Sequence, residues 1–168
     1  LDWFEPILQT GHRQDYNING GTKNDKSSLF FSTGYLDEKG YFKRSGFQRF
    51  TGRINGDITP VSWFKAGVLL NGTHQINNNY SDGNTSFNNP IYNARIIAPV
   101  FPVHLHDMAT GEYILDEEGK VQYDDGTTYN RGQYVARHAI WENELNTRKN
   151  IIGSMQGQAY ANVKFLKD

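Results

Sequence analysis

Hydrophobic and polar residues alternate along several stretches of the chain, and the alternation is clearest in residues 47–58. There, Phe50 and Ile54 alternate with Arg49 and Arg53. A period of two is typical of a β-strand whose two faces meet different surroundings. Four other stretches share this pattern, so the sequence predicts five strands. They lie near residues 14–22, 27–36, 47–58, 65–74 and 153–165.

The connections between these strands are alternately short and long. Residues 22–26 and 59–62 form short turns, residues 37–46 a longer connection, and residues 74–150 a very long one. Outer-membrane barrels combine short periplasmic turns with long outer loops. Several of the strands also have the roughly 9–11 residues that cross a bilayer at a tilt, whereas soluble strands cluster near about 5–6. The predicted fold is therefore all-β, with antiparallel transmembrane strands that form part of a barrel and a long extracellular loop.

Within the long loop, the sequence predicts two local elements. Residues 112–115 and 120–123 flank an acidic turn that ends in Gly119, which indicates a hairpin. Residues 142–149 are expected to form one or two turns of helix.

The two faces of the predicted strands differ in chemistry, and this difference defines the candidate site. In a large barrel the polar face lines a wet or plugged interior, and the apolar face meets lipid. Residues expected to face the interior are Arg49, Thr51, Arg53, Asn55, Asp57, Gln156, Gln158 and Asn162. Residues expected to face lipid are Ile54, Ile58, Val68, Leu70, Ala159 and Val163. The candidates for substrate binding are Arg49, Arg53, Asn55, Asp57, Gln156 and Gln158.

Composition narrows the possible functions. The net charge is −1 and no cluster of Lys and Arg occurs, so nucleic acid is not an expected partner. The chain has no cysteine, which excludes disulfides and thiolate metal sites. No apolar run approaches the roughly 20 residues of a transmembrane helix, so any membrane role must come from strands. Leu1 and Asp168 both look like cut ends, and we expect the chain to be a fragment.

The motifs that could carry chemistry are weak. His104 and His106 would share one face of an extended segment, but a metal would need further ligands. The paired carboxylates, such as Asp37 and Glu38, lie in glycine-containing turns rather than across a cleft. We therefore expect no metal, no cofactor and no enzymatic activity.

Four regions of the sequence carry distinctive motifs. The most recognisable is STGYLDEKG at residues 32–40, followed by FQRFTGRIN at residues 47–55. The others are residues 2–5 with 14–22, residues 89–95 with 99–103, and residues 159–163. Together these regions resemble the SusC/RagA family of TonB-dependent outer-membrane transporters, and they follow the family's order along nearly the whole chain.

The resemblance implies a function for the parent protein in the bacterial outer membrane. Such a protein is expected to import oligosaccharides or oligopeptides actively, to work with a SusD-like surface lipoprotein, and to draw energy from the TonB complex through parts not present here. Two alternatives remain open from the sequence: a soluble, surface-exposed glycan-binding β-domain, and a passive porin.

Overall fold

The computed structural model of the chain describes residues 1–80 and 88–165. Five strands form one antiparallel sheet in which each strand pairs with the next along the chain. The strands are β1 (His12–Lys23), β2 (Ser27–Lys39), β3 (Gly46–Val61), β4 (Phe64–Tyr80) and β5 (Thr147–Val163). The all-β, antiparallel fold predicted from the sequence is therefore confirmed.

The strands are longer than their hydrophobic alternation predicts. β3 continues through Pro60, β4 continues to Tyr80, and β5 already begins at Thr147. The connection expected at residues 74–150 is correspondingly shorter, and residues 81–87 of it lie outside the described part of the chain. The alternation of hydrophobic and polar residues ends where the apolar face ends. The hydrogen bonds between strand backbones need no apolar side chain, so the strands continue further.

Two short helices lie between β4 and β5. Helix α1 (Pro90–Ile96) begins after Asn89, whose side chain accepts a hydrogen bond from the backbone N–H of Tyr92. Helix α2 (Ala139–Leu145) begins after His138. The predicted helical turns at residues 142–149 were thus misplaced, because the helix starts earlier and residues from Thr147 onward are strand. No helix in the described ranges is both long enough and apolar enough to cross a membrane.

The chain divides into two compact units. The sheet unit comprises residues 12–39, 46–77 and those from 149 onward. The loop unit comprises residues 1–11, 40–45 and 78–148. These last three segments precede β1, connect β2 with β3, and connect β4 with β5 along the chain.

The loop unit has its own hydrophobic core. Phe42 and Ile7 are almost completely buried, and Leu8 forms a β-bridge with Phe42. Tyr80 packs on Phe42 with ring centroids 4.6 Å apart. The buried members of the core are Trp3, Ile7, Phe42, Ala94, Ile97 and Ala139. All three segments of the loop unit contribute to this list, so each depends on the others for burial.

The hairpin predicted in the loop forms. Leu115 pairs with Val121 across the acidic turn, and the backbone N–H of Gln122 donates to the carbonyl of Ile114 at 2.9 Å. Gly119 at the turn has a φ of 80°, which favours glycine. A third segment joins this hairpin, since the N–H of Leu105 donates to the carbonyl of Gln122 at 2.9 Å.

Truncation of Phe42 tests the core of the loop unit. We expect Phe42→Ala to lower the local stability of the loop unit by about 3–5 kcal/mol, because it removes a fully buried ring that the core cannot replace. Hydrogen exchange of the α1 and α2 amides in the intact protein measures the effect. Tyr41→Ala is the matched control, because Tyr41 is 66% exposed and should change exchange by far less. Equal effects of the two substitutions would contradict the proposed core.

Candidate functional site

The register of the sheet arranges the side chains of β1, β2 and β3 in rows. Asn19 pairs with Ser32, and Ser32 pairs with Arg53. Because successive residues of a strand point to opposite faces and paired residues share a face, these three side chains lie on one surface. We call this surface the polar face. Its members on β3 are Arg49, Thr51, Arg53, Asn55 and Asp57.

Side-chain contacts extend the polar face onto β4 and β5. Lys65 of β4 lies 3.3 Å from the carboxylate of Asp57, and the Ser28 hydroxyl donates to the same carboxylate. A Cβ on Gly67 would lie 2.6 Å from the Tyr160 ring, so Tyr160 of β5 lies directly on that glycine. Gly67 therefore leaves room for a ring that a larger residue would displace.

The six predicted site residues share this face. Arg49, Arg53, Asn55 and Asp57 follow from the β2–β3 register. Gln156 and Gln158 lie at even positions of β5, like Tyr160, and so belong to the same side of that strand. Lys65 and Tyr160 were not predicted as site residues. The alternation of side chains along β4 and β5 nevertheless assigns both positions to the polar face.

The opposite surface, which we call the apolar face, is lined by large hydrophobic side chains. Phe31 pairs with Ile54 across β2 and β3, and Leu70 of β4 lies close to Gly157 of β5. Ile54 is 48% exposed in the described residues. Two open hollows of about 630 and 560 Å³ lie mainly along this face. Their apolar walls suit hydrocarbon better than a polar solute.

The loop unit contains a smaller hollow of about 300 Å³. Its charged groups are Asp124 and Arg131, which form a buried ion pair with each other. The Arg131 guanidinium also lies 4.3 Å from the centre of the Phe101 ring. Because the two charges already neutralise each other, this hollow has no free charge with which to attract an ionic ligand.

The two histidines considered as metal ligands are engaged with aromatic rings and backbone instead. His104 stacks on Tyr123 with centroids 5.3 Å apart, and His106 lies 4.6 Å from Tyr113. Nδ1 of His106 is 2.8 Å from the carbonyl oxygen of His104. Within residues 1–80 and 88–165, no group of three or more His, Asp or Glu side chains could hold a metal ion.

His138 joins helix α2 to the core of the loop unit. Its Nδ1 accepts a hydrogen bond from the N–H of Trp141 at 3.1 Å and caps α2, while Nε2 lies 2.8 Å from the carbonyl oxygen of Val103. Trp3 and Tyr123 pack on the imidazole. Burial lowers the pKa of His138 to about 4, although the Val103 carbonyl partly opposes the shift. The cap therefore needs the neutral imidazole.

A long antiparallel sheet with one polar and one apolar face is the architecture of a wall segment in an outer-membrane β-barrel. Comparison with known proteins agrees with this class. The chain is similar to a TonB-dependent receptor of Formosa agariphila, with 31% identity over 94 residues that cover 54% of this chain and 9% of the receptor. It is also similar to the TonB-dependent receptor SusC of Bacteroides thetaiotaomicron, with 32% identity over 111 residues that cover 63% of this chain and 10% of SusC. No family model matches the chain.

These similarities confirm the resemblance to SusC-like TonB-dependent receptors. Proteins of this kind are located in the outer membrane of Gram-negative bacteria, which agrees with the predicted location, and both organisms are Bacteroidetes. The names of both relatives describe receptors rather than enzymes. The matched stretch spans about a tenth of the length of either relative.

The His138 cap makes the loop unit sensitive to acid. Between pH 6.5 and pH 4 the unfolded segment binds a proton that the folded one excludes, so stability falls as the pH decreases. We expect a loss of about 2 kcal/mol between pH 7.5 and pH 5. Hydrogen-exchange protection factors for α2, corrected for intrinsic rates, measure this loss. His138→Asn keeps a capping oxygen without a titrating group and should remove most of the pH dependence; the same slope in that variant would rule out His138 as the source.

Proposed function

We propose that the chain forms part of the wall and an outer loop of an active importer in the outer membrane. The observation that carries this proposal is the two-faced sheet. Phe50, Ile54 and Ile58 are 54%, 48% and 52% exposed, and they continue an apolar surface across neighbouring strands. A surface of this kind in water favours association or aggregation. Contact with the hydrocarbon of a bilayer removes this apolar surface from water.

The polar face then lines a hydrated interior through which the solute passes. Arg49, Arg53, Asn55 and Asp57 on β3, with Gln156 and Gln158 on β5, supply hydrogen-bond donors and acceptors to the solute. Amide, guanidinium and carboxylate groups pair well with sugar hydroxyls and with peptide backbone. An oligosaccharide or an oligopeptide is therefore the proposed cargo.

The edges of the sheet support a larger closed structure. In the described part of the chain, β1 and β5 each pair with one strand only, which leaves two rows of backbone donors and acceptors unpaired. In a membrane such rows must be paired, and closure into a barrel pairs them. We infer that further strands of the parent protein pair with β1 and β5.

The partners of the importer follow from its resemblance to SusC-like receptors. The loop unit belongs to the outer side, since barrels of this class have long loops there and short turns on the periplasmic side. A SusD-like lipoprotein would bind on that outer side. TonB would supply energy through parts of the protein beyond this chain. Energy-dependent uptake of an oligosaccharide or oligopeptide that requires the intact receptor tests this proposal, and its absence with all such solutes would overturn it.

The assignment of the apolar face to lipid and of the polar face to the interior can be tested by adding the same charge to each face. Ile54 lies near the middle of β3 on the apolar face, so we expect Ile54→Arg to cost about 2–4 kcal/mol near the bilayer midplane. The free energy of unfolding of the full-length receptor in lipid vesicles measures this cost.

Asn55→Arg is the matched control, because Asn55 is the next residue of β3 and lies on the polar face. It should cost less than half as much, since its charge meets water instead of hydrocarbon. Equal costs at the two positions would contradict the assignment of lipid and interior to these faces.

A further inference from the structure

The acidic residues of the polar face are already paired with bases. Asp57 lies 3.3 Å from Lys65 near the short turn between β3 and β4. At the other end of the sheet, Asp15 and Glu38 both lie 3.6 Å from Arg13. Among the described residues, every carboxylate of the polar face is therefore in contact with a cation.

Arg53 is different, because no acid lies beside it on β1, β2 or β3, and neither β4 nor β5 contains Asp or Glu. Its row contains Asn19 and Ser32. The rows on either side contain only uncharged residues, namely Asn17, Gly34, Thr51, Gly21, Phe30 and Asn55. Within residues 1–80 and 88–165, Arg53 makes no ion pair. On β1, β2 and β3 its positive charge is thus surrounded by uncharged side chains.

The Arg53 side chain is nevertheless held in place. With the Asn55 amide oriented so that both of its groups have partners, its side-chain oxygen accepts from Nη2 of Arg53 at 3.0 Å and from Nε at 3.1 Å, which occupies one edge of the guanidinium. A guanidinium has five N–H donors, so most of them remain available to a ligand. The contact with Asn55 reduces the freedom that Arg53 would lose when it binds one.

Arg49 lies four residues before Arg53 on the same face of β3. Its row contains Leu36 and Asp15, and Asp15 is already engaged with Arg13. In the described part of the chain Arg49 also makes no ion pair. At a rise of about 3.3 Å per residue, the two guanidinium groups are attached roughly 13 Å apart along the strand.

We propose that Arg53 and Arg49 form a subsite for the carboxylate groups of an acidic solute, with Arg53 as the main contact. The proposal rests on the proposed function, since it requires the polar face to meet the solute. A guanidinium fork matches a carboxylate with two parallel hydrogen bonds, and such charge-assisted bonds are stronger than neutral ones. Two forks at this spacing fit an extended oligomer with repeated acid groups. The carboxylates could belong to uronic acid units of a glycan or to acidic side chains of a peptide.

Binding to the full-length receptor in detergent at low salt tests the subsite. The acidic probes are hexagalacturonate and hexaglutamate, and their uncharged counterparts are the methyl ester of hexagalacturonate and hexaglutamine. We expect one acidic probe to bind at least about tenfold more tightly than its counterpart, and the difference to shrink as salt increases. Which probe shows the preference identifies the source of the carboxylate.

Substitutions test whether the two arginines cause the tighter binding of the acidic probe. Arg53→Gln should remove most of the preference, Arg49→Gln should reduce it by a smaller factor, and Arg53→Lys should keep part of it. Lys26→Gln is the matched control, because it removes the same charge from the turn between β1 and β2 and should leave the preference unchanged.

Several results would overturn the subsite. These are equal binding of the acidic and uncharged probes, no binding of either acidic probe, or an Arg53→Gln variant that keeps the preference. An Arg53→Gln receptor with raised ion conductance and unchanged probe binding would show that an acidic surface elsewhere in the protein pairs with Arg53. Active uptake of an uncharged oligomer by a receptor that fails these tests would leave the proposed import intact. Conversely, a receptor that binds the acidic probe through Arg53 but takes up no solute would overturn the import alone.

Discussion

The register between neighbouring strands decides which residues of this protein meet the same surroundings. Ile54 pairs with Phe31 and Arg53 pairs with Ser32, so one apolar and one polar surface run across β2 and β3. Because side chains alternate with a period of two, a slip of one residue would exchange the two surfaces along a whole strand. The ion pair of Asp57 with Lys65 and the hydrogen bond of Asp57 with Ser28 join three strands on the polar face and oppose such a slip.

The long connection between β4 and β5 contains helices α1 and α2 within its described residues. Its helices are short and gain little from their own hydrogen bonds, so their stability depends on tertiary contacts. The core around Phe42 and Ile7 supplies these contacts. His138 adds a polar link, because a single neutral imidazole caps α2 and donates to Val103. An ordered loop unit presents its surface in one arrangement, which favours specific recognition over nonspecific adhesion.

The sequence predicted the sheet well because each strand carries its own signal. Alternation separated Ile54 from Arg53 without knowledge of any partner strand. The end of β4 and the start of β5 were missed, since residues such as Asn78, which lies between two other asparagines, continue the strand without an apolar neighbour. Helix α2 was misplaced because its cap is His138, a residue that rarely marks a helix start. The isolation of Arg53 from acids could not be predicted at all, since it depends on the side chains of β1 and β2 that lie beside it.

The loop unit is assembled from parts that are far apart in the chain, as the hydrogen bond from the side-chain amide of Asn143 to the carbonyl of Lys43 illustrates. Bringing such distant segments together is entropically costly and slow unless something shortens the intervening path. The antiparallel hairpins do so, because each one returns the chain to the end of the sheet from which it left. Assembly of the loop unit is therefore expected to follow strand pairing, so a defect in hairpin formation would also delay burial of Phe42 and Ile7.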